Sequence, residues 1–292
     1  MCLFKNYFYD AEAIDILSEP VGETVPVRKV NESFNGFGFG FKYQIIPSTY
    51  VRSSFVRAAR IPTEGEILVD FAAVVPNFQL SPETSDNLNV GIGFEKPILG
   101  LKYFSFQLDA FVRDQTDLIR IEPFGPENSR FVNEDQVEGR GIEFAVNTRP
   151  LSNLGFNANF TYQSNEITTP QLNNSALGEA QVPNIPLLFF NVGSTYDFKN
   201  IFDKDIDLQI FGNYFFTDRY SINVVRDLDT ANPDFVIPEQ HLVNLGIVVK
   251  PAIENLRFSF SVKNVLDELM YDNFRIPRPG INYSFKINYS IL

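Results

Sequence analysis

The chain has 292 residues, a formal net charge of −12, and a single cysteine and a single histidine. The negative charge argues against a nucleic-acid partner, because phosphate binding needs an excess of lysine and arginine. With only Cys2 and His241, neither a disulfide framework nor a cysteine- or histidine-rich metal site can be built.

Apolar and polar residues alternate with the period of two that is typical of β-strands. The stretch GFGFGFKYQI (36–45) places aromatic residues on one face and mainly glycine on the other, and 88–95, 154–163, 256–263 and 281–291 repeat the pattern. The 30 Phe and 12 Tyr residues also favour strands. We therefore predict an all-β chain of about twelve strands, at residues 3–9, 35–45, 49–58, 86–96, 102–120, 137–147, 154–163, 187–198, 205–217, 240–250, 256–265 and 281–291.

The connections between these strands alternate in length. Short connections are expected near 46–48, 97–101, 148–153, 199–204 and 251–255, and long ones at 10–34, 59–85, 121–136, 164–186, 218–239 and 266–280. In an antiparallel up-and-down sheet this order places all long loops at one rim, as in transmembrane β-barrels. The strand lengths fit tilted membrane crossings, which need about nine to eleven residues. A soluble β-sandwich or solenoid is the alternative, with shorter strands and more charged residues on its wet face.

The long connections are rich in acidic residues. Residues 10–34 carry six Asp and Glu against Arg28 and Lys29. Such charge ordinarily keeps a surface soluble, and steering of a cationic ligand is the alternative interpretation.

Three motifs in the right order resemble one family. They are an Arg-x-Pro-Thr turn with a following Leu-x-Pro-Glu run and strand, a Gly-x-Glu strand, and a closing Asn-Leu-Asp, Tyr and Pro-x-Pro-Gly series. Their residues are Arg60, Pro62, Thr63, Leu80, Pro82, Glu83, Thr84, Ser85, Asn89 and Gly91; Gly141 and Glu143; and Asn264, Leu266, Asp267, Tyr271, Pro277, Pro279 and Gly280. Over about residues 35–292 the chain resembles the C-terminal half of a TonB-dependent outer-membrane receptor. Leu292 and Ile281 depart from the family's terminal aromatic and post-glycine Arg.

The resemblance implies a transmembrane β-barrel of twenty-two strands, of which residues 1–292 would form the C-terminal part. The plug domain and the N-terminal box that binds TonB are expected to be absent. The signal peptide is also expected to be absent, since the first fifteen residues have charges and no continuous apolar core. A complete small porin of twelve strands is the alternative.

The resemblance also implies a function. The chain would belong to a receptor in the outer membrane of a Gram-negative cell, in contact with lipid, that imports a scarce ligand with energy delivered by TonB. A ferric siderophore or another metal chelate is the expected ligand, and vitamin, glycan or peptide ligands stay open. A passive outer-membrane porin and a soluble β-rich binding protein are the alternative functions. Ligand contacts are expected in 59–85, 164–186 and 218–239, without individual residues being identified.

Enzymatic chemistry is not expected, because no catalytic motif, phosphate-binding glycine loop or cofactor motif occurs. Asp227, Asp229 and Asp234 suggest a calcium loop but lack its glycine and final glutamate, so a solvated loop is favoured. His241 could contact a haem, although a structural role is favoured. Five tyrosines are expected in lipid-interface girdles: Tyr103, Tyr162, Tyr196, Tyr214 and Tyr283.

Overall fold

The computed structural model describes residues 2–14, 27–67, 74–124, 128–168, 180–201, 205–271 and 276–290. These residues form one short helix, α1 (Glu64–Ile67), a 3-10 turn at Pro233–Phe235, and sixteen strands. The strands are β1 (Cys2–Ile14), β2 (Val27–Ile46), β3 (Thr49–Arg60), β4 (Val74–Val75), β5 (Glu83–Glu95), β6 (Tyr103–Phe124), β7 (Asn128–Leu151), β8 (Leu154–Ile167), β9 (Ala180–Gln181), β10 (Leu188–Phe198), β11 (Asp207–Thr217), β12 (Tyr220–Ser221), β13 (Val236–Ile237), β14 (Gln240–Lys250), β15 (Leu256–Lys263) and β16 (Asn282–Tyr289). No helix among the described residues is long and apolar enough to cross a membrane.

Twelve long strands form one antiparallel sheet in chain order, β1-β2-β3-β5-β6-β7-β8-β10-β11-β14-β15-β16. The short strands β4 and β9 pair with β7 and β8, and β12 pairs with β13 in a separate ribbon. Among the described residues β1 and β16 each pair on one side only, so the sheet is not closed. The predicted up-and-down arrangement of about twelve strands is confirmed, as is its partial character.

The two faces of the sheet differ in polarity, because residues that face each other across antiparallel strands share a face. On one face Phe39 lies opposite Phe55, and Leu88 lies opposite Val112. Phe39, Leu88 and Val112 remain exposed, as does Phe41, of which 60% is exposed. The apolar residues of β16 are exposed to between 57% and 67%. We call this the apolar face. A soluble sandwich would bury such residues in its core.

The opposite, polar face is closely packed where a glycine faces a larger side chain on the next strand. Phe111 lies opposite Gly141, and Phe211 lies opposite Gly246. An added Cβ at Gly141 would lie 2.6 Å from both Phe111 Cζ and the backbone oxygen of Tyr162. These glycines are therefore required by close approach.

The prediction of a connection at 121–136 is wrong, because β6 extends to Phe124 and β7 begins at Asn128. The two strands form one long hairpin, and only 125–127, outside the described residues, separates them. Arg120 Nη2 lies 2.8 Å from Glu134 Oε2, and Arg130 Nη2 lies 3.0 Å from Glu122 Oε1. These cross-strand ion pairs stabilise the two strands in the stretch where a loop was expected. The predicted connection at 10–34 is also too long, since β1 and β2 leave only 15–26, which lies outside the described residues.

Candidate ligand-binding site at the outer end and the polar face

The connections of the twelve-strand sheet fall at two ends. The turn end holds 47–48, 96–102, 152–153, 199–206 and 251–255. At the other end, which we call the outer end, the strands are joined by 61–82, 168–187, 218–239 and 264–281, and in chain order by 15–26 and 125–127, which lie outside the described residues. Except at the β6–β7 hairpin, the connections of the outer end are the longer ones, as predicted. A ligand approaching from that side meets the outer end first and the polar face next.

The polar face of β2 to β7 carries fixed charges. Arg52 Nε donates to Asp109 Oδ1 at 2.9 Å and its Nη2 donates to Asp109 Oδ2 at 2.5 Å, which is a two-bond arginine–carboxylate pair. Lys42 Nζ lies 3.9 Å from the ring centroid of Tyr50, whose hydroxyl accepts from Gln107 at 3.0 Å. Lys42, Arg52 and Asp109 line an open cleft of about 520 Å³, together with Glu143.

The polar face of β8, β10 and β11 is different, because amide side chains replace charges away from the turn end. Asn159 Nδ2 donates to Asn191 Oδ1 at 3.2 Å. Asn157 and Asn213 both lie opposite Gly193, and their Oδ1 atoms would be 2.5 and 2.6 Å from a Cβ added there. This half of the polar face presents neutral hydrogen-bonding groups.

At the outer end, the connection 61–82 begins with a charged cluster. Arg60 Nη1 donates to Glu66 Oε1 at 2.9 Å, and Arg60 Nε lies 2.8 Å from Glu83 Oε1. Thr63 donates to Glu66 Oε2 from its backbone at 2.8 Å and from its hydroxyl at 3.0 Å. Burial by itself would raise the pKa of Glu66, but the Thr63 and Arg60 hydrogen bonds and the Arg60 charge lower the pKa below its ordinary value.

The end of the same connection is attached to the β6–β7 hairpin through Asn133. Its Oδ1 accepts from Ser81 N at 2.8 Å, and its Nδ2 donates to Ser81 O at 2.9 Å and to Asp117 O at 2.7 Å. Asp117 has a left-handed backbone with φ of 57°, which aspartate tolerates better than most residues. Leu80, beside this contact, is buried.

Residues 180–187 pack against the connection 218–239. Gln181 N donates to Val225 O, and Asn184 N donates to Ser221 O, both at 2.8 Å. Val137, Ile167 and Val182 form a small buried core beside these bonds. The connection 218–239 has a second buried core, which consists of Tyr220, Ile222 and Ile237. Tyr271 N donates to Gln240 Oε1 at 2.7 Å, which attaches 264–281 as well.

Of the three segments predicted to contact the ligand, two lie together and the third lies elsewhere. The structure brings 180–187 and 218–239 together, whereas residues 74–82 lie on the β6–β7 hairpin. Which residues touch a ligand stays a prediction at the level of segments. The polar-face residues Arg52 and Asp109 were not singled out from the sequence; a register assignment between β3 and β6 would have been needed to find them.

The remaining candidate residues have structural partners. Asp227 accepts from Asp229 N at 2.9 Å and Asp229 pairs with Arg219, and among the described residues no group of three carboxylate, histidine or cysteine side chains converges as a metal site. His241 lies on the apolar face, where its Nδ1 is 2.8 Å from the Tyr214 hydroxyl and its ring packs on Phe216. It does not face the polar side of the sheet.

Four of the five tyrosines expected in girdles lie on the apolar face, by their register partners. Tyr103 does not: it lies one position before the apolar-face residue Phe104, and its hydroxyl donates to Glu95 Oε1 at 3.3 Å. The expectation of a lipid contact for Tyr103 is wrong, because its side chain lies on the polar face, opposite Arg149.

Comparisons with known proteins agree on the architecture. A family model described as "TonB dependent receptor-like, beta-barrel" matches residues 22–265. No curated protein matches the chain.

Several solved structures are similar to the chain in fold. The copper transporter OprC is 14% identical with a TM-score of 0.68, and 90% of this chain covers 40% of that one. The ferric-catecholate import receptor Fiu from E. coli K12 is 14% identical with a TM-score of 0.65, covering 99% of this chain and 41% of that one. The siderophore receptor PiuA from Acinetobacter baumannii is 13% identical, with a TM-score of 0.65 and coverages of 93% and 38%. The chain thus spans about 40% of the length of these structures.

Proposed function

Because the chain belongs to the TonB-dependent receptor β-barrel family, we propose that it forms part of an outer-membrane receptor that imports a scarce metal-containing ligand. In this proposal the apolar face contacts lipid, the polar face lines the lumen, and the outer end faces the cell exterior. TonB would deliver the energy for import. The molecule would be a transporter and not an enzyme.

The observation that carries the proposal is the division of one twelve-strand sheet into an apolar and a polar face. Lipid cannot satisfy backbone hydrogen bonds, so only helices and closed barrels cross the hydrocarbon. The open edges of β1 and β16 would therefore pair with further strands, which fits a chain that spans about 40% of its structural neighbours.

The choice of a metal-containing ligand is supported by those neighbours. They are a copper transporter, a ferric-catecholate import receptor and a siderophore receptor. At these sequence identities the likeness shows the fold alone, so the ligand is part of the proposal.

The proposed transport function is tested by measuring the uptake of metal into cells. Cells that produce the protein and cells that lack it are compared for accumulation of ⁶⁴Cu²⁺ and of ⁵⁵Fe as the tris-catecholate complex, each with and without functional TonB. The proposal expects at least one metal to enter only when both the protein and TonB are present. Uptake that persists without TonB would instead indicate a passive porin, and recovery of the protein outside the membrane fraction would overturn the membrane assignment.

A further inference from the structure

The polar face of the last two strands, β15 and β16, differs from that of β2 to β7 because it carries cations and no carboxylate. These strands share the polar face with Gly246, whose register partner on β15 is Ser261. The side chains of this part are Arg257, Ser259, Ser261 and Lys263 on β15 and Asn282, Ser284, Lys286 and Asn288 on β16. Each of them can donate a hydrogen bond. We call these eight residues the donor stripe.

The three cations of the donor stripe have no acidic partner in the described part of the chain. The side chains of Arg257, Lys263 and Lys286 are exposed and make neither an ion pair nor a hydrogen bond there. In the connection that follows Lys263, the carboxylate of Asp267 accepts from Ile281 N at 3.2 Å instead. The charges of the donor stripe are therefore not used to hold the sheet together.

The cations of β3, on the same face, are engaged differently. Arg52 and Arg60 are bonded to the carboxylates of Asp109 and Glu83. An anion that used either arginine would have to displace a carboxylate first. At the donor stripe no carboxylate of the described residues competes, and the serine and asparagine side chains beside the cations offer further donors to an anion's oxygen atoms.

The cations follow the sheet from one end to the other. Lys263 is the last residue of β15 and lies at the outer end, whereas Arg257 is the second residue of β15 and lies next to the turn end. Lys286 lies between them, opposite Ser259. At a rise of about 3.4 Å per residue, the steps along the strand are about 14 Å from Lys263 to Lys286 and about 7 Å from Lys286 to Arg257. Like charges on neighbouring strands repel, so the sheet gains no stability from this arrangement.

We propose that the transported ligand is a metal chelate of net negative charge, which contacts the donor stripe as it moves along the polar face. This inference rests on the proposed transport function and specifies its substrate class. Oxygen atoms of an anionic chelate would accept charge-assisted hydrogen bonds from Lys263, Lys286 and Arg257 in turn. A free metal cation would be repelled by these charges, and an uncharged chelate would gain no such attraction.

The first test compares the uptake of ligands of different charge. In producing cells with functional TonB, the trianionic ⁵⁵Fe tris-catecholate is expected to enter faster than the uncharged ⁵⁵Fe trihydroxamate and faster than ⁶⁴Cu²⁺ at equal concentration. TonB-dependent uptake of the uncharged chelate or of Cu²⁺ that equals or exceeds that of the trianion would overturn the inference and leave the proposed function standing. The absence of TonB-dependent uptake for all three would overturn both.

The second test asks whether the donor stripe binds the anion. Arg257→Gln, Lys263→Gln and Lys286→Gln together remove its three charges and keep polar side chains. In purified protein, the dissociation constant of iron(III) tris-catecholate should rise about tenfold at low salt, and the difference should shrink towards about 0.5 M salt. Trianionic hexacyanocobaltate(III) should compete for binding and hexaamminecobalt(III) should not. An unchanged dissociation constant in the variant, or competition by the cation alone, would overturn the inference.

A charge-retaining variant separates the effect of charge from that of shape. Arg257→Lys, Lys263→Arg and Lys286→Arg together alter the same three side chains and keep their charges. The dissociation constant of iron(III) tris-catecholate should stay within about threefold of that of the unmodified protein, because the attraction depends on charge. A rise equal to that of the glutamine variant would assign the effect to the shape of the wall and would overturn the inference.

A matched control removes three cations from the turn end of the sheet. Lys96→Gln, Lys102→Gln and Lys199→Gln replace exposed lysines of two turns and change the total charge by the same amount. The dissociation constant should stay within about 1.5-fold of that of the unmodified protein, because these lysines are not on the polar face of β15 and β16 and exposed charges are screened by salt. A rise equal to that of the glutamine variant of the donor stripe would show that only total charge matters, and would overturn the inference.

Discussion

Arg60 at the end of β3 and Glu83 at the start of β5 face each other in register and form a two-bond ion pair. Arg60 Nε lies 2.8 Å from Glu83 Oε1, and Nη2 lies 3.0 Å from Oε2. Glu83 Oε2 also accepts from Ile119 N at 3.0 Å, so one carboxylate joins β3, β5 and β6 where the outer end begins. Both residues belong to motifs that resembled the receptor family, and the structure supplies a physical reason for them.

Replacing Glu83 with Gln should loosen this junction. The variant keeps the size of the side chain but loses a charge-assisted pair, which at a partly exposed site is worth about 1 kcal/mol. Faster hydrogen exchange at the Ile119 amide would report the loss. Arg57→Gln is the matched control, since Arg57 pairs with Asp86 on the apolar face of the same two strands and should leave Ile119 unaffected. Equal exchange in the Glu83→Gln variant and the unmodified protein would contradict the assignment.

Acidification should release the start of the connection 61–82. The pKa of Glu66 is lowered in the folded protein, so its ion pair and hydrogen bonds contribute stability above the ordinary carboxyl pKa of 4.5 and lose it as the pH falls through the lowered value. Protection factors of the Glu66 and Ile67 amides, which bond to Thr63 O, should be constant from about pH 7 to 5 and drop below that range. In the Glu66→Gln variant the drop should disappear; persistence of the same pH profile would rule out Glu66 as its cause.

Asn133→Ala should detach the end of that connection from the β6–β7 hairpin. Three backbone groups, Ser81 N, Ser81 O and Asp117 O, would lose their partner, at a cost of about 1–3 kcal/mol if they stay buried. Asn133→Asp should also weaken the contact, because a carboxylate cannot donate to the two carbonyl oxygens. Limited proteolysis within 68–82 is the measurement.

The control for this prediction is Asn147→Ala on the polar face of β7. Asn147 is exposed, and its side chain makes no hydrogen bond within the described residues. Cleavage in this variant should match that of the unmodified protein. If Asn133→Ala also matched it, Asn133 would not hold the connection.

Alanine substitutions should separate the glycines of the polar face into two classes. Gly141→Ala places its Cβ against the backbone of Tyr162 and the ring of Phe111, so we expect a loss of about 1–3 kcal/mol from overpacking. Gly40→Ala meets nothing within 4 Å and should be tolerated. The two variants are compared by the temperature at which the folded protein converts to its unfolded electrophoretic form. Equal shifts for both would contradict the packing argument.

The close contacts on the polar face could not be read from the sequence. The alternation of a strand sequence predicts which face a glycine occupies, as GFGFGF does for Gly40. It does not predict the glycine's surroundings: Gly40 has open space, whereas Gly141, on the same face in β7, meets Phe111. The difference depends on the pairing partner on the next strand, which is set by register. The Arg52–Asp109 pair is similar: its members are 57 positions apart and meet only because β3, β5 and β6 are aligned.

By itself the sequence determined the β class, the number of long strands, the two faces and, except between β6 and β7, the alternation of short and long connections. It could do so because a strand's side chains alternate with a period of two whatever its neighbours are. The tertiary structure decided the length of the β6–β7 hairpin, the attachment of 61–82 through Arg60 and Asn133, and the pairing of 180–187 with 218–239. Those features depend on contacts between residues distant in sequence, for which local periodicity carries no signal.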